Sequence, residues 1–214
     1  TKRRIGEDDD SLAIPGYDLT EVRRSDMAGD KGGGGICFYM RKADGLLFGE
    51  YDPDILDPDH AFVRNERVWK TVESLHGKTA VCAVYAGFQA PDDRNQYWND
   101  SLYSVLRTEV ADLRKRGFRV VLMGDFNGHV GNCPNGGIVG NNADVNRNGT
   151  RFLNFLLDCK CIHLNGVSDL VTGLWTRQRG GVSSILDYAA VSMEHASSVL
   201  SMYIDDRGVY GDAS

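Results

Sequence analysis

Residues 95 to 123 carry the pattern that most restricts the fold. From about Asn95 to Arg116, Trp98, Leu102, Val105, Leu106, Val110 and Leu113 recur at three- and four-residue steps, the apolar stripe of an amphipathic helix. Arg114-Lys115-Arg116 and then Gly117 mark its end, placing cations at the negative helix terminus and a residue that tolerates positive φ just beyond it. Phe118-Arg119-Val120-Val121-Leu122-Met123 follows as a strand. A long helix running straight into an apolar strand excludes all-α and all-β architectures.

The remaining strand signals are numerous. A short strand is expected near Tyr17–Val22, and Lys31-Gly32-Gly33-Gly34-Gly35 leads into Ile36-Cys37-Phe38-Tyr39-Met40. Arg67–Val72 and Thr79–Tyr85 lie either side of Gly77 and read as a hairpin. A second helix is expected from about Thr150 to Cys159, then strands at Cys161–Leu164, Ser184–Val191 and Ser198–Tyr203. Asp52–Asp59, with two prolines, reads as a surface loop. Many strands joined to each other, with two interposed helices, describe an α/β protein with substantial antiparallel sheet, stacked sheets inside and helices outside. No repeat or linker divides residues 1–214, which are read as a single domain.

Composition narrows the partners. Lys+Arg number 24 against 30 Asp+Glu, a net charge of −6, with 42% hydrophobic residues. That balance excludes a disordered chain and argues against a basic nucleic-acid coat protein, while leaving room for an enzyme whose carboxylates hold a metal at a nucleic-acid-cutting site. No run approaches the roughly 18–20 apolar residues of a membrane span, so no membrane partner is expected. Five cysteines, an odd count, include Cys37 and Cys82 inside apolar runs, which suits free thiols in a reducing compartment. No secretory leader is visible, so the expected location is the nucleus after cytoplasmic transit. The two Asn-x-Ser/Thr triplets, at Asn99 and Asn148, then carry no expected sugar.

Chemistry concentrates where the apolar strand ends, at Gly124-Asp125-Phe126-Asn127-Gly128-His129. Residues i and i+2 of an extended chain face one side, which puts the Asp125 carboxylate and the Asn127 amide together. A carboxylate can bind a hard cation or orient water, and an amide can bond a phosphate oxygen; an Asx turn is the competing reading. The same alternation would turn His129 that way. Asp187 sits inside an apolar strand, where a carboxylate is costly unless paired or metal-bound. Tyr85 ends another strand and could present its phenol at a cleft rim. Trp175, Arg177 and Arg179 form an aromatic-basic cluster of the kind that contacts DNA backbones, or else a solvated loop. His129 with Cys133, and Cys159 with Cys161, lack the partner set of a zinc site. The glycine run lacks the Gly-Lys-Ser/Thr of a nucleotide loop.

Taken in order, these pieces resemble the endonuclease/exonuclease/phosphatase superfamily, shared by deoxyribonuclease I and the apurinic endonucleases. The matching residues are Val84-Tyr85-Ala86, Gly124-Asp125-Phe126-Asn127 and Ser184-Ile185-Leu186-Asp187-Tyr188. The glycine run, Gly124–Gly131, Asn148-Gly149-Thr150-Arg151-Phe152-Leu153 and Trp175-Thr176 narrow the resemblance to the endonuclease domains of non-LTR (LINE-type) retrotransposons. The resemblance implies a four-layer α/β sandwich, two packed and mostly antiparallel sheets flanked by helices. It implies that Asp125 orients the attacking water and holds Mg²⁺ or Mn²⁺, and that Asn127 contacts the scissile phosphate. Tyr85 would lie against that phosphate, and Asp187 would polarise a histidine. The activity implied is a nick in target DNA leaving a 3′-hydroxyl, with the reverse transcriptase region of the same polyprotein and its RNA as partners.

Departures from that pattern are equally specific. The family's first strand carries a metal-binding Glu just before Thr-Lys, and this sequence opens at Thr1-Lys2; the family's closing Ser-Asp-His is not reached before Ser214. The expectation is a domain lacking both, weak or inactive alone, with sheet edges open to self-association. Gly87-Phe88-Gln89 stand where the family has Pro-Asn, and Leu174 where it often has Thr. Two alternatives stay open: another phosphodiesterase of the same superfamily, or a non-catalytic domesticated relative.

Overall fold

Helix α1 spans Arg94–Lys115 in the computed structural model, which describes residues 14–23, 35–41, 46–51, 66–87, 94–131, 144–167, 169–179 and 181–206. It ends as the sequence predicts. Gly117 takes φ +82, its N–H donates to the Arg114 carbonyl, and Phe118 N–H donates to that of Leu113. This is the paired-bond stop that a left-handed glycine makes possible, sealed by Phe118 packing on the core. Helix α2 spans Arg147–Asp158, starting earlier than its apolar periodicity suggests. The reason is Asn146, whose Oδ1 accepts from Gly149 N–H at 2.7 Å and so satisfies an orphan donor of the first turn.

The strands are β1 (Tyr17–Arg23), β2 (Gly35–Arg41), β3 (Leu47–Glu50), β4 (Arg67–Ser74), β5 (Gly77–Tyr85), β6 (Arg119–Asp125), β7 (Cys161–His163), β8 (Val171–Thr172), β9 (Arg177–Arg179), β10 (Val182–Ser184), β11 (Asp187–Ser192) and β12 (Met202–Tyr203). Six of them form one sheet in the order β3-β4-β5-β6-β11-β7. Within it only β5 and β6, which α1 connects, run parallel; the other pairings are antiparallel. The expected β4–β5 hairpin forms, turning through Leu75 and His76 with Gly77 opening β5 opposite Ser74. Ribbons β1–β2 and β9–β10 are antiparallel pairs, and β8–β12 is a parallel one. Among the described residues the second sheet of the expected sandwich is represented by these two-stranded pieces, with β2 lying against β4 and β5.

Alternation along the central strands separates two faces. Ala80, Cys82 and Val84, then Val120 and Leu122, then Tyr188 and Ala190 are buried in one cluster with Leu102, Leu106, Val110 and Leu113 of α1 and Phe152, Phe155 and Leu156 of α2. The opposite face holds Val81, Ala83, Tyr85, Val121, Asp125 and Asp187, all half-buried, and the exposed Met123. The helices therefore fill one side and leave the polar row on the other.

Three expectations are corrected. Ser184–Val191 is two strands, because Leu186 N–H bonds the Thr176 hydroxyl and its carbonyl bonds Phe126 N–H instead of joining a ladder. In Ser198–Tyr203 only Met202–Tyr203 is a paired strand: Ser198 closes a 3₁₀ helix (Met193–Ser198), and residues 199–201, with Leu200 exposed, belong to no element. Cys37 is half-buried, whereas Cys82 is fully buried as expected; the four described cysteines are free thiols. Lys31–Gly34, Asp52–Asp59, Phe88, Gln89, Cys133 and the side chain of Trp98 lie outside the described residues. Among the described residues no helix is long and apolar enough to cross a membrane.

Candidate active site

Register brings three of the sequence-selected residues into one row. Tyr85, the last residue of β5, is paired with Asp125, the last of β6, and Asp125 is paired with Asp187, the first of β11. In-register neighbours on adjacent strands share a face and stand about 5 Å apart. A phenol and two carboxylates thus line the open end of the sheet, on the face away from the helices. Glycine makes this end possible: Gly124 takes φ +142, and a Cβ there would sit 2.0 Å from the Val84 carbonyl oxygen.

Burial sets the electrostatics. The Asp125 carboxyl is pushed up to about 6, chiefly by desolvation and further by the charge of Asp187; the Asn127 N–H and the Arg177 guanidinium oppose the shift. Asp187 is also raised, again by burial, with the Thr176 hydroxyl opposing. Two hard-oxygen donors that resist ionisation together are a donor set that suits a hard divalent cation, whose charge would hold both ionised. Among the described residues no group of three or more His, Cys, Asp and Glu converges, so Asp125 and Asp187 would supply part of a shell completed by water or phosphate oxygens.

Asn127 reaches the site by a route the alternation argument misses. The strand ends at Asp125 and Asn127 takes φ +47, so the period-two pattern does not extend to Asn127 or His129. Asn127 N–H donates to Asp125 Oδ1 at 2.9 Å, the Asx-turn geometry that was the competing reading. Its Nδ2 donates to the Ala86 carbonyl at 2.8 Å. The Asx-turn reading holds, and the turn keeps Asn127 next to the Asp125 carboxylate.

The aromatic-basic cluster divides. Trp175 is half-buried and packs on the hydrophobic core. Arg177 is exposed on β9 yet close enough to lower Asp125. Arg179 pairs with Val182 in the β9–β10 ribbon, and its side chain lies outside the described residues. Cys159 and Cys161 join no group of three or more His, Cys, Asp and Glu among the described residues.

Several supporting residues carry roles that the sequence did not assign. Thr176 Oγ1 accepts from Leu186 N–H at 2.9 Å and Asp187 N–H at 3.1 Å, fixing where β11 begins. Asn146 Oδ1, besides capping α2, accepts from His129 N–H at 3.0 Å. Gly149 lets α2 press on this loop, because a Cβ there would lie 1.8 Å from the His129 carbonyl oxygen. Gly149→Ala is expected to cost about 3 kcal/mol, the upper end for overpacked sites. Gly117→Ala, where a Cβ meets nothing within 4 Å, should cost only the roughly 1–2 kcal/mol of a left-handed non-glycine residue. Urea titrations of the two variants check this ordering.

This architecture is a deoxyribonuclease I-like α/β fold, shared with solved nuclease structures. The chain is similar to the endonuclease domain of TRAS1, a telomere-specific non-LTR retrotransposon, with a TM-score of 0.52 and 15% identity over 86% of this chain and 70% of that one. A 3′-5′ exonuclease from Neisseria meningitidis matches with a TM-score of 0.54 and 17% identity, over 85% of this chain and 69% of that one. A 3′ phosphatase from Neisseria, bound to a product DNA hairpin, matches with a TM-score of 0.52 and 18% identity over the same shares. No family model and no curated protein matches the sequence.

Proposed function

We propose that this chain is the core of a divalent-metal-dependent DNA endonuclease domain of the non-LTR retrotransposon type. The observation that carries this reading is the Tyr85–Asp125–Asp187 row with Asn127 turned in beside it, set at the open end of a sheet of this fold. In the reading, Asp125, with Asp187 beside it, would hold Mg²⁺ or Mn²⁺, which would supply charge stabilisation on the phosphate; Asp187 would also polarise a histidine. Asp125, held beside Asn127 by the turn, would orient the attacking water. Tyr85 and Asn127 bond the phosphate oxygens, and Arg177 meets the DNA backbone from β9. The product is a nick with a 3′-hydroxyl, used by a reverse transcriptase region and its RNA in the nucleus.

The similarity to a Neisseria enzyme described as a 3′-5′ exonuclease and as a 3′ phosphatase, at TM-scores of 0.54 and 0.52, favours a second reading, in which a DNA 3′ end is the substrate. One assay separates them. Supercoiled plasmid and a 3′-phosphorylated oligonucleotide duplex are incubated with Mg²⁺ or chelator, using the 214-residue chain and a longer chain carrying its flanking sequence. Metal-dependent conversion of plasmid to open circle is the expected result. Release of phosphate or terminal nucleotides without nicking selects the second reading, and no reaction on either substrate removes both.

A further inference from the structure

Asn99 and Asn148 are 1% and 0% exposed, which closes both Asn-x-Ser/Thr triplets to sugar attachment in the folded chain. Their burial needs another explanation, because Asn99 occupies a position of the α1 apolar stripe, three residues before Leu102 and seven before Leu106. A buried amide without partners costs about 1–3 kcal/mol. Here each is saturated. Asn99 Oδ1 accepts from Gly87 N–H at 2.9 Å, and its Nδ2 donates to the Gly87 carbonyl at 2.9 Å and to Asn148 Oδ1 at 3.0 Å. Asn148 Nδ2 donates to the Gly87 carbonyl at 3.1 Å and to the Asn127 carbonyl at 3.3 Å.

These bonds tie two helices to two loops. Gly87 follows the strand that carries Tyr85, and Asn127 follows the strand that carries Asp125. Asn127 is held in a left-handed conformation that a residue with a Cβ adopts at a cost. Its carbonyl accepts from Asn148 and from Asn146 at 3.4 Å, its N–H is bonded to Asp125 and its Nδ2 to Ala86. Remove the amide at 148 and the Asn127 peptide loses a partner that α2 holds rigidly against the core. Saturated buried networks of this kind specify one geometry.

We propose that Asn99 and Asn148 are positioning residues, which fix the Asn127 peptide relative to the Tyr85–Asp125–Asp187 row without touching the phosphate. This rests on the phosphodiesterase reading above. Asn148→Asp and Asn99→Asp keep side-chain volume while removing donors; Asn148→Ala is the second variant should a buried aspartate unfold the chain. In single-turnover nicking by the longer chain, each is expected to lower the rate constant about 10–100-fold with DNA affinity within about 2-fold. Asn127→Ala combined with Asn148→Asp should be no slower than Asn127→Ala alone, since the effect of Asn148 passes through Asn127. Rates at the parental level, or losses that multiply in the double variant, would overturn the proposal.

A ¹⁵N–¹H spectrum of the 214-residue chain reads the same coupling without activity. Asn148→Asp, or Asn148→Ala in its place, is expected to shift the Asn127 backbone amide and the Asn99 side-chain NH₂, and to leave the β3–β4 amides in place. An unmoved Asn127 amide also overturns the proposal. A shifted Asn127 amide in a protein whose parent chain never nicks supports the clamp and removes the phosphodiesterase reading instead.

Discussion

Asp125→Asn is expected to slow cleavage by orders of magnitude and, in metal-free buffer, to make the chain more stable at neutral pH. The two effects share one cause. Asp125 and Asp187 face each other on adjacent strands, and burial with the neighbouring charge pushes the Asp125 carboxyl from 3.8 up to about 6. A folded-state value above the unfolded one means the native protein binds this proton more tightly than the unfolded chain does. The stabilisation is therefore fully present below the unfolded value and is lost as pH rises through the folded one. With chelator present, thermal midpoints of the variant should gain on the parent as pH climbs from about 4 to about 8, and the two should converge at the acidic end. Mg²⁺ or Mn²⁺ should then raise the parent's midpoint by mass action and leave the variant's nearly unchanged. In the longer chain, loss of this carboxylate, which would orient the attacking water, lowers nicking by about 10²–10⁴-fold. A variant that is less stable at neutral pH, or that cleaves at the parental rate, would take Asp125 out of the site.

Glu109→Ala is expected to be the most damaging substitution away from the site. Arg67 and Glu109 are 5% and 2% exposed, joined by Arg67 Nε to Glu109 Oε2 at 2.7 Å and by a second bond from Nη2 to Oε1. Trp69 Nε1 donates to the same carboxylate at 2.8 Å. Truncating Glu109 takes the bidentate carboxylate away from a buried guanidinium and orphans an indole N–H. The cost of breaking such a pair is about 3–5 kcal/mol, which in a chain of this size lowers the thermal midpoint by roughly 10 °C. Arg67→Met with Glu109→Leu removes both charges together and should recover most of that loss, because desolvating the pair nearly cancels its attraction. Calorimetry of the single and double variants decides the matter; a single variant within about 1 kcal/mol of the parent would mean that water reaches this pair.

The two polar residues that carry these arguments differ in how visible they are along the chain. Glu109 lies three residues beyond Leu106 and four before Leu113, inside the apolar stripe of α1. A carboxylate at such a position signals a buried partner, but nothing local points to Arg67, which is 42 residues away. Asn99 carries the same signal, and its partners Gly87 and Asn148 are equally remote. Asp125, by contrast, announces itself at the end of an apolar strand. The Asx turn and the side-by-side arrangement with Asn127 were both readable there, because turn chemistry acts within two residues.

Local physics is what the amino-acid order by itself determined: the stripe and glycine stop of α1, the β4–β5 hairpin around Gly77, the α/β class, and Asp125, Asn127, Asp187 and Tyr85 as residues worth following. These depend on periodicity, steric freedom and neighbours a few positions away. Only the tertiary structure decided that β6 lies between β5 and β11, so that Tyr85, Asp125 and Asp187 fall into one row. It also decided that the strand end at 185–186 bends to meet Thr176, and that two buried asparagines tie the loops together. Those outcomes follow from strand register and from the saturation of buried polar groups, which join residues tens of positions apart and leave no periodic trace along the chain.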